Sequence, residues 1–506
     1  RGLQLLVGQR LAEIEEDEDT LLWSLLNSSL DSTRVDFVLA LLRSEHIGKF
    51  LKLHSGKLLE KGSGAFESIV AGAYNFGRGS VDELMLFSRQ RPEETSWREI
   101  IDFACANQGA LRDVKTPTLL LLMQDWSLTH PENDATTEAC ARFAWKLVEL
   151  GRGGHADLYG RKDRIADLIL SASGCDKKKF EDELRHHLSV SVKARNYILE
   201  EVCRHVLRDT MIGPVIVAVR YFPKLVRDIS WAYWRPKRDP HERYHELNSA
   251  EYEFGLPEYG FEYFPPSSLQ GPTYMLLNAD TVETILFIID FVNACIADAV
   301  RTNPKRFDTV TLTMPNGEKI EQKISLGLWD CYRDKGFGEH VPYLLKAMHM
   351  ALERFLLEMS ESRKCDKVCE AILWTLLLKS KSASLTAVVA SVVMAHPMEF
   401  VKLGLVLIAD RKVISCDARR HFAEMQPDCV RALFPFPKRE HDYVRELADK
   451  HSVRGVSLEN VIWQYQIVGS KDVPDLKQKV EKLLDDYGKD WDEMSSADKF
   501  WLTRVD

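Results

Sequence analysis

The sequence predicts an all-α protein, an irregular HEAT-like α-solenoid or multi-helical array with one inserted β-hairpin. Three observations predict it. Apolar residues recur at spacings of three and four through most of the chain. The polar breaks between these runs are short, which joins successive helices as antiparallel neighbours. One segment alone, at 307–324, alternates with period two. At 506 residues the chain is too long for one ordinary core, so two to four helical subdomains or one long stack are expected. No fixed repeat period is found, which makes any solenoid an irregular one.

The elements follow in order. An N-terminal helical array is expected over 1–220. Leu3, Leu5, Leu6, Leu11 and Ile14 lead into an acidic turn at 15–19, and Leu21 to Leu26 open a second helix. Val35, Phe37, Val38, Leu41 and Leu42 mark a third. The pattern continues through Ile100–Ala104, Thr118–Met123, Ala141–Leu150, Ile165–Leu170 and Ile198–Leu207. Glycine-rich breaks such as Gly151 to Gly154 read as turns or helix C-caps. None of them fits the GxxxxGK[ST] phosphate loop.

From 221 to 279 the composition turns aromatic and proline-rich. Trp231, Tyr233, Trp234, Tyr252, Phe254, Tyr259, Phe261, Tyr263 and Phe264 fall here, and helical periodicity weakens. Aromatic side chains need burial, so this segment is expected to pack as a folded connector and not to swing as a free linker. A C-terminal helical array is expected over 280–506. It opens with Asp280 as an N-cap and Glu283 three residues later, in the manner of a capping box. Val282, Ile285, Ile289, Val292 and Ile296 then share one helical face. In the hairpin, Val310, Leu312 and Met314 alternate with Thr309, Thr311 and Thr313, and Pro315-Asn316-Gly317 turns the chain. Asn-Gly between alternating runs is a strong hairpin signal, because both residues tolerate positive φ. A lone hairpin is marginal, so its apolar face should dock on helices and leave the threonine face exposed for protein contact. Long amphipathic and apolar helices follow, through Val341–Met359, Ile372–Leu378, Leu385–Ala395 and Phe400–Ile408. A charged cluster of Asp410, Arg411, Asp417, Arg419 and Arg420 reads as ion pairing at a helix end.

Composition narrows the function. Hydrophobic residues make up 45% and charged residues 28%, the balance of a folded protein, and the formal charge of -9 is an acidic surplus. A general nucleic-acid binder carries a basic surplus, so no nucleic-acid partner is expected. The chain has 10 cysteines and no CxxC pair, which reads as reduced, buried thiols in a cytoplasmic protein. The apolar stretch from Leu385 to Ala395 is interrupted by Thr386 and Ser391 and falls short of the ~18 residues of a membrane span. No membrane association is expected. The chain starts at Arg1 with no initiating Met, which reads as a piece or processed product of a longer chain.

One motif has the form of a catalytic site. His241-Glu242-Arg243-Tyr244-His245 fits HExxH, in which histidines four apart on a helix hold Zn²⁺ and the glutamate activates a bound water. Glu251, Glu253 and Glu262 are candidate third ligands. Pro240 places the start of any helix at the first ligand, whereas a zinc protease sets the motif inside an apolar helix. The zinc-dependent hydrolase is therefore the alternative reading, and the favoured reading has no cofactor. His186, His187 and His205 lie in a charged helical stretch and read as solvated or half-buried histidines. The aromatic-basic run Trp231, Trp234, Arg235 and Arg238 has the residue types of protein-binding hot spots, and equally those of a joint packing on itself.

Two stretches carry a resemblance: Pro265-Pro266-Ser267-Ser268-Leu269-Gln270-Gly271-Pro272, and Ser384 to Val392 with Ala395-His396-Pro397. Over roughly residues 255–420, including the hairpin and Leu328-Trp329, the chain resembles the helical regions of large bacterial STAND/NACHT-like NTPases, several of which serve in antiphage defence. The P-loop that defines those NTPases is absent from this sequence. The resemblance implies a sensing or assembly arm, with a phage protein or a sister subunit as partner, self-association among its functions, and nucleotide hydrolysis elsewhere.

Overall fold

The computed structural model describes residues 38, 41–42, 47–60, 64–77, 94–111, 117–152, 156–208, 213–235, 250–257, 263–333, 341–425, 439–489, 491, 499 and 502–503. They form an all-α multi-helical array with one inserted two-stranded antiparallel hairpin. The chain divides into two compact units. Unit 1 holds the described residues up to Val206 together with 213–225, and unit 2 holds Leu207, Arg208 and the described residues from Val226 onward.

Unit 1 is built from α1 (Ile47–Leu53), α2 (Ala65–Gly77), α3 (Glu94–Ala106), α4 (Pro117–Thr129), α5 (Ala135–Arg152), α6 (Lys162–Ser171), α7 (Lys177–Ser189), most of α8 (Tyr197–Arg208) and α9 (Gly213–Tyr221). The apolar run in α4 packs against α2, α6 and α9. Leu119, Leu120, Leu122, Met123 and Trp126 are all buried there. The Trp126 indole donates to Asp134 Oδ1 at 2.9 Å, and the same carboxylate caps the start of α5 by accepting from Thr137 N.

The segment 221–279 departs from the expected weak periodicity, because it opens with α10 (Pro223–Trp234) and closes with α11 (Thr273–Ala279). Pro223 stands at the first position of α10, where no amide hydrogen bond is lost. Leu225, Val226, Ile229 and Trp234 give the helix a buried face. The aromatic bulk had masked this period in the sequence.

Unit 2 continues with α12 (Thr281–Thr302), β1 (Asp308–Thr313), β2 (Lys319–Ile324), α13 (Tyr343–Ser362), α14 (Lys367–Lys379), α15 (Ala383–Ala395), α16 (Val401–Leu407), α17 (Arg411–Glu424), α18 (Arg439–Lys450), α19 (Leu458–Ile467) and α20 (Leu476–Gly488). Asp280 precedes α12 as expected, but its side chain makes no cap hydrogen bond. The Asp280 carboxylate pairs instead with Arg227 Nη1 at 2.8 Å, a charged partner stronger than a backbone amide.

The centre of unit 2 is α15, in which every residue from Ala383 to Met394 is buried. A helix apolar on all sides is stable only when enclosed. Here α13, α14, the helical turn Leu326–Trp329, β2, α16, the turn Ser452–Gly455 and α19 enclose it. Each buried Leu or Val on α15 contributes about 1.5–3 kcal/mol. Ala383, Ala387, Ala390 and Ser391 leave room for neighbouring backbones. Its few polar groups all find partners. Ser384 Oγ bonds His349 Nε2 at 2.9 Å, Thr386 Oγ1 donates to Gln322 Oε1 at 2.6 Å, and Ser391 Oγ donates to Glu353 Oε1 at 2.5 Å.

Candidate functional site

The hairpin docks on this centre by one face. Val310, Leu312 and Met314 are buried, as is Gln322 on β2, whose Nε2 donates to the Leu377 carbonyl at 3.2 Å. Thr309, Thr311 and Thr313 are exposed. In register they stand opposite Lys323, Glu321 and Lys319. The outward face is thus a row of hydroxyls beside a row of alternating charge.

The chain turns at Pro315-Asn316-Gly317, and of the two residues that tolerate positive φ only Gly317 adopts it. Gly317 N donates to Met314 O at 2.8 Å, and Met314 N donates to Glu318 O at 2.8 Å. Gly317 has φ +84, whereas Asn316 is not among the residues at positive φ. Pro315 sets the negative φ of a first turn residue, which leaves only Gly317 in the left-handed region as a bulge.

Both open edges of the hairpin carry partners. Asp410 Oδ2 accepts from Thr311 N at 3.4 Å, and Lys412 Nζ donates to Thr309 O at 3.3 Å. On the other side Lys323 N donates to Lys381 O at 2.9 Å. Edges tied in this way resist strand-to-strand association. The exposed part of the hairpin is thus its outward side-chain face.

Among the other residues singled out from the sequence, Trp234 is buried, and its indole donates to Tyr263 Oη at 3.0 Å. Tyr263 in turn donates to the Leu207 carbonyl. Trp234 therefore belongs to the core and is no contact residue. Arg235 is held by Asp298 Oδ2 at 2.7 Å. Trp231 stays 38% exposed while its ring meets Phe287 and Phe291 edge-on. Arg238 and the whole HExxH segment, His241, Glu242 and His245, lie outside the described residues, as does Glu262. Of the other candidate third ligands, Glu253 is engaged by Arg306 Nη1 at 2.5 Å.

Unit 2 also holds a charged cavity of about 160 Å³ between α13 and α18. Four arginines line it, and each is already engaged. Arg454 grips Glu353 through two bonds of 2.6 and 2.8 Å. Arg333 binds Glu424 and, at 2.8 Å, Asp449. Arg354 pairs with Glu358 at 2.8 Å, and Arg445 donates to the Pro266 carbonyl at 2.6 Å. Burial pushes the Glu353 carboxyl up, but the Arg454 guanidinium and its hydrogen bonds, with Arg333 and Ser391, hold it below the usual carboxylate range. Guanidiniums bound in this way stiffen the walls and have little left for an anionic ligand.

Nucleophile-like pairs also meet in space. Ser267 Oγ lies 2.7 Å from His441 Nδ1, but both residues are buried, so a substrate carbonyl has no approach. Cys331 Sγ lies 3.5 Å from His349 Nδ1, yet that nitrogen already donates to the Leu345 carbonyl at 2.7 Å. Burial pushes His349 down to about 4, so it is a neutral core residue. Asp417 and Arg420, which the sequence suggested as an ion pair at a helix end, are paired at 3.0 Å and both are buried. Asp417 Oδ2 also accepts from Leu458 N at 2.7 Å, and Arg420 Nη2 donates to Val456 O. They join α17 to the start of α19. Nothing in the sequence pattern separates such a pair from a solvated one.

Among the described residues, one set of side chains has metal-ligand spacing: Asp163, Glu201 and His205 in unit 1. No helix of the described residues is long and apolar enough to cross a membrane. No protein-family model matches the chain, and no curated protein is significantly similar to it.

Proposed function

We propose that this chain is a helical recognition scaffold that carries no catalysis of its own and engages a protein partner through the hairpin. The observation that supports this reading is the one-sided docking of the hairpin. A rigid, enclosed helix bundle holds its apolar face, and the threonine row with Lys319, Glu321 and Lys323 is left outward. A two-stranded hairpin is marginal alone, and this one is anchored from three sides, so its outer face is pre-organised for contact. With the resemblance of 255–420 to STAND/NACHT-like helical regions, the scaffold is the sensing or assembly arm of a larger defence NTPase, and its partner is a phage protein or a sister subunit.

A photo-crosslinking amino acid at Thr311, with the same label at exposed Lys482 on α20 as control, tests the surface. One protein species, a second copy of this chain included, should be captured from Thr311 and not from Lys482. Equal capture from both positions, or ATP hydrolysis by the purified chain, would overturn the reading.

A further inference from the structure

We propose that Asp163, Glu201 and His205 form a divalent-cation site of the zinc class in unit 1, with Asp167 as its positioning residue. Asp163 and Asp167 stand four apart on α6, and Glu201 and His205 stand four apart on α8. That spacing puts each pair on one helical face. His205 Nε2 lies 3.4 Å from Glu201 Oε1 and 3.7 Å from Asp163 Oδ1. One ligand atom from each of the three residues falls within 4.8 Å of the others. Around a tetrahedral Zn²⁺ with bonds of about 2.1 Å, neighbouring ligand atoms sit about 3.4 Å apart. The edges from His205 therefore fit to within a few tenths of an ångström. The Asp163 side chain is 65% exposed and can rotate to close the third edge, while Glu201 is fixed by burial.

The groups behind the ligands support the same reading. Asp167 Oδ1 lies 2.8 Å from His205 Nδ1. A carboxylate there holds the proton on Nδ1 and turns the Nε2 lone pair outward, the arrangement that orients metal-binding imidazoles. In that tautomer the Nε2 lone pair, Glu201 Oε1 and Asp163 Oδ1 face one another, a donor set that suits a divalent cation. Lys162 Nζ takes the other oxygen of Glu201, Oε2, at 2.7 Å, which leaves Oε1 directed at His205. Three protein ligands leave a fourth coordination position for water or an anionic group.

The test is a calorimetric titration of the full chain with zinc sulfate after chelation and desalting. The wild type should take up about one equivalent, as a single three-ligand site requires. His205→Gln should abolish the uptake. Asp167→Asn should weaken it about 10–100-fold, the range for groups that orient a metal-bound histidine. His241→Gln/His245→Gln, titrated alongside, should bind as the wild type does. Uptake unchanged in His205→Gln, or lost only in the His241/His245 variant, would overturn the proposal, and so would a wild type that takes up no zinc. Should His205→Gln fail to fold by circular dichroism, Asp163→Asn decides. It alters an exposed side chain and should still weaken zinc binding at least tenfold, and undiminished binding would again overturn the site.

Discussion

In unit 2, His349 lies between the Leu345 carbonyl and the Ser384 hydroxyl and is neutral. In unit 1, His205 faces Asp163, Asp167 and Glu201 and is drawn toward its charged form. The two histidines are the same group moved in opposite directions. Burial acts downward on both, so the difference lies in the partners. A carbonyl fixes a tautomer without supplying charge, and a carboxylate supplies charge. The same contrast runs through the units. Unit 2 closes its buried charges with fixed partners, as Arg454 does for Glu353 and Arg420 for Asp417. The unit 1 cluster instead converges three carboxylates on one imidazole.

The sharpest way to break this comparison is Arg454→Met. It strands the Glu353 carboxylate in the core and should destabilise unit 2 by about 3–5 kcal/mol, read as lost hydrogen-exchange protection in α13. Adding Glu353→Gln should restore much of it. A loss below about 1 kcal/mol would mean the pair behaves as a solvated one.

The next effect is acid sensitivity. His349 has a folded pKa of about 4 against its ordinary 6.5. The unfolded chain therefore takes the proton first as pH falls. The contribution of His349 is fully present above pH 6.5 and is lost toward pH 4, about 3 kcal/mol in all. Protection of α13, corrected for intrinsic exchange, should fall across this window, and His349→Gln should flatten the fall. His205 should show the reverse sign in the presence of chelator. Its folded pKa is raised, so its contribution is present below pH 6.5 and is lost as pH rises through the folded value. Asp167→Asn should remove most of that slope in peptides from α8. Slopes of one sign in both units would refute the contrast.

The hairpin sharpens the comparison at its uncharged end. Gly317→Val meets no atom within 4 Å but must hold φ near +84, so the backbone alone should cost about 1–3 kcal/mol by urea unfolding. Thr311→Lys places a charge on the open face and should change stability by less than ~0.5 kcal/mol. A large loss from Thr311→Lys would show that the face is not open.

What the sequence made legible was whatever rests on periodicity. The helices and the hairpin's inward Val310, Leu312 and Met314 follow from side-chain direction alone. Partner choice was not legible. Asp280 pairs with Arg227 where a cap was expected, and Arg420 meets Asp417 in the interior. His205 was one histidine in a charged helix until α6 brought Asp163 and Asp167 beside it. Spacing along one helix reports a face, and contacts between helices depend on packing that no local pattern records. Trp234 shows the same limit, since its residue type suits a hot spot and a core equally.

The enclosure of α15 has a consequence for synthesis. Its wrapping comes from both sides in the chain, the earlier part from α13 and α14, the later from the turn Ser452–Gly455 and from α19. When Ala395 leaves the ribosome, the segment that covers its last face has yet to be made. At about 5–20 residues per second, the roughly 60 residues that follow take about 3–12 s. For those seconds α15 belongs to an unfinished wall. A nascent chain stalled before residue 452 is then a substrate for chaperones and proteases, and C-terminal truncation should lower cellular abundance far more than its length suggests.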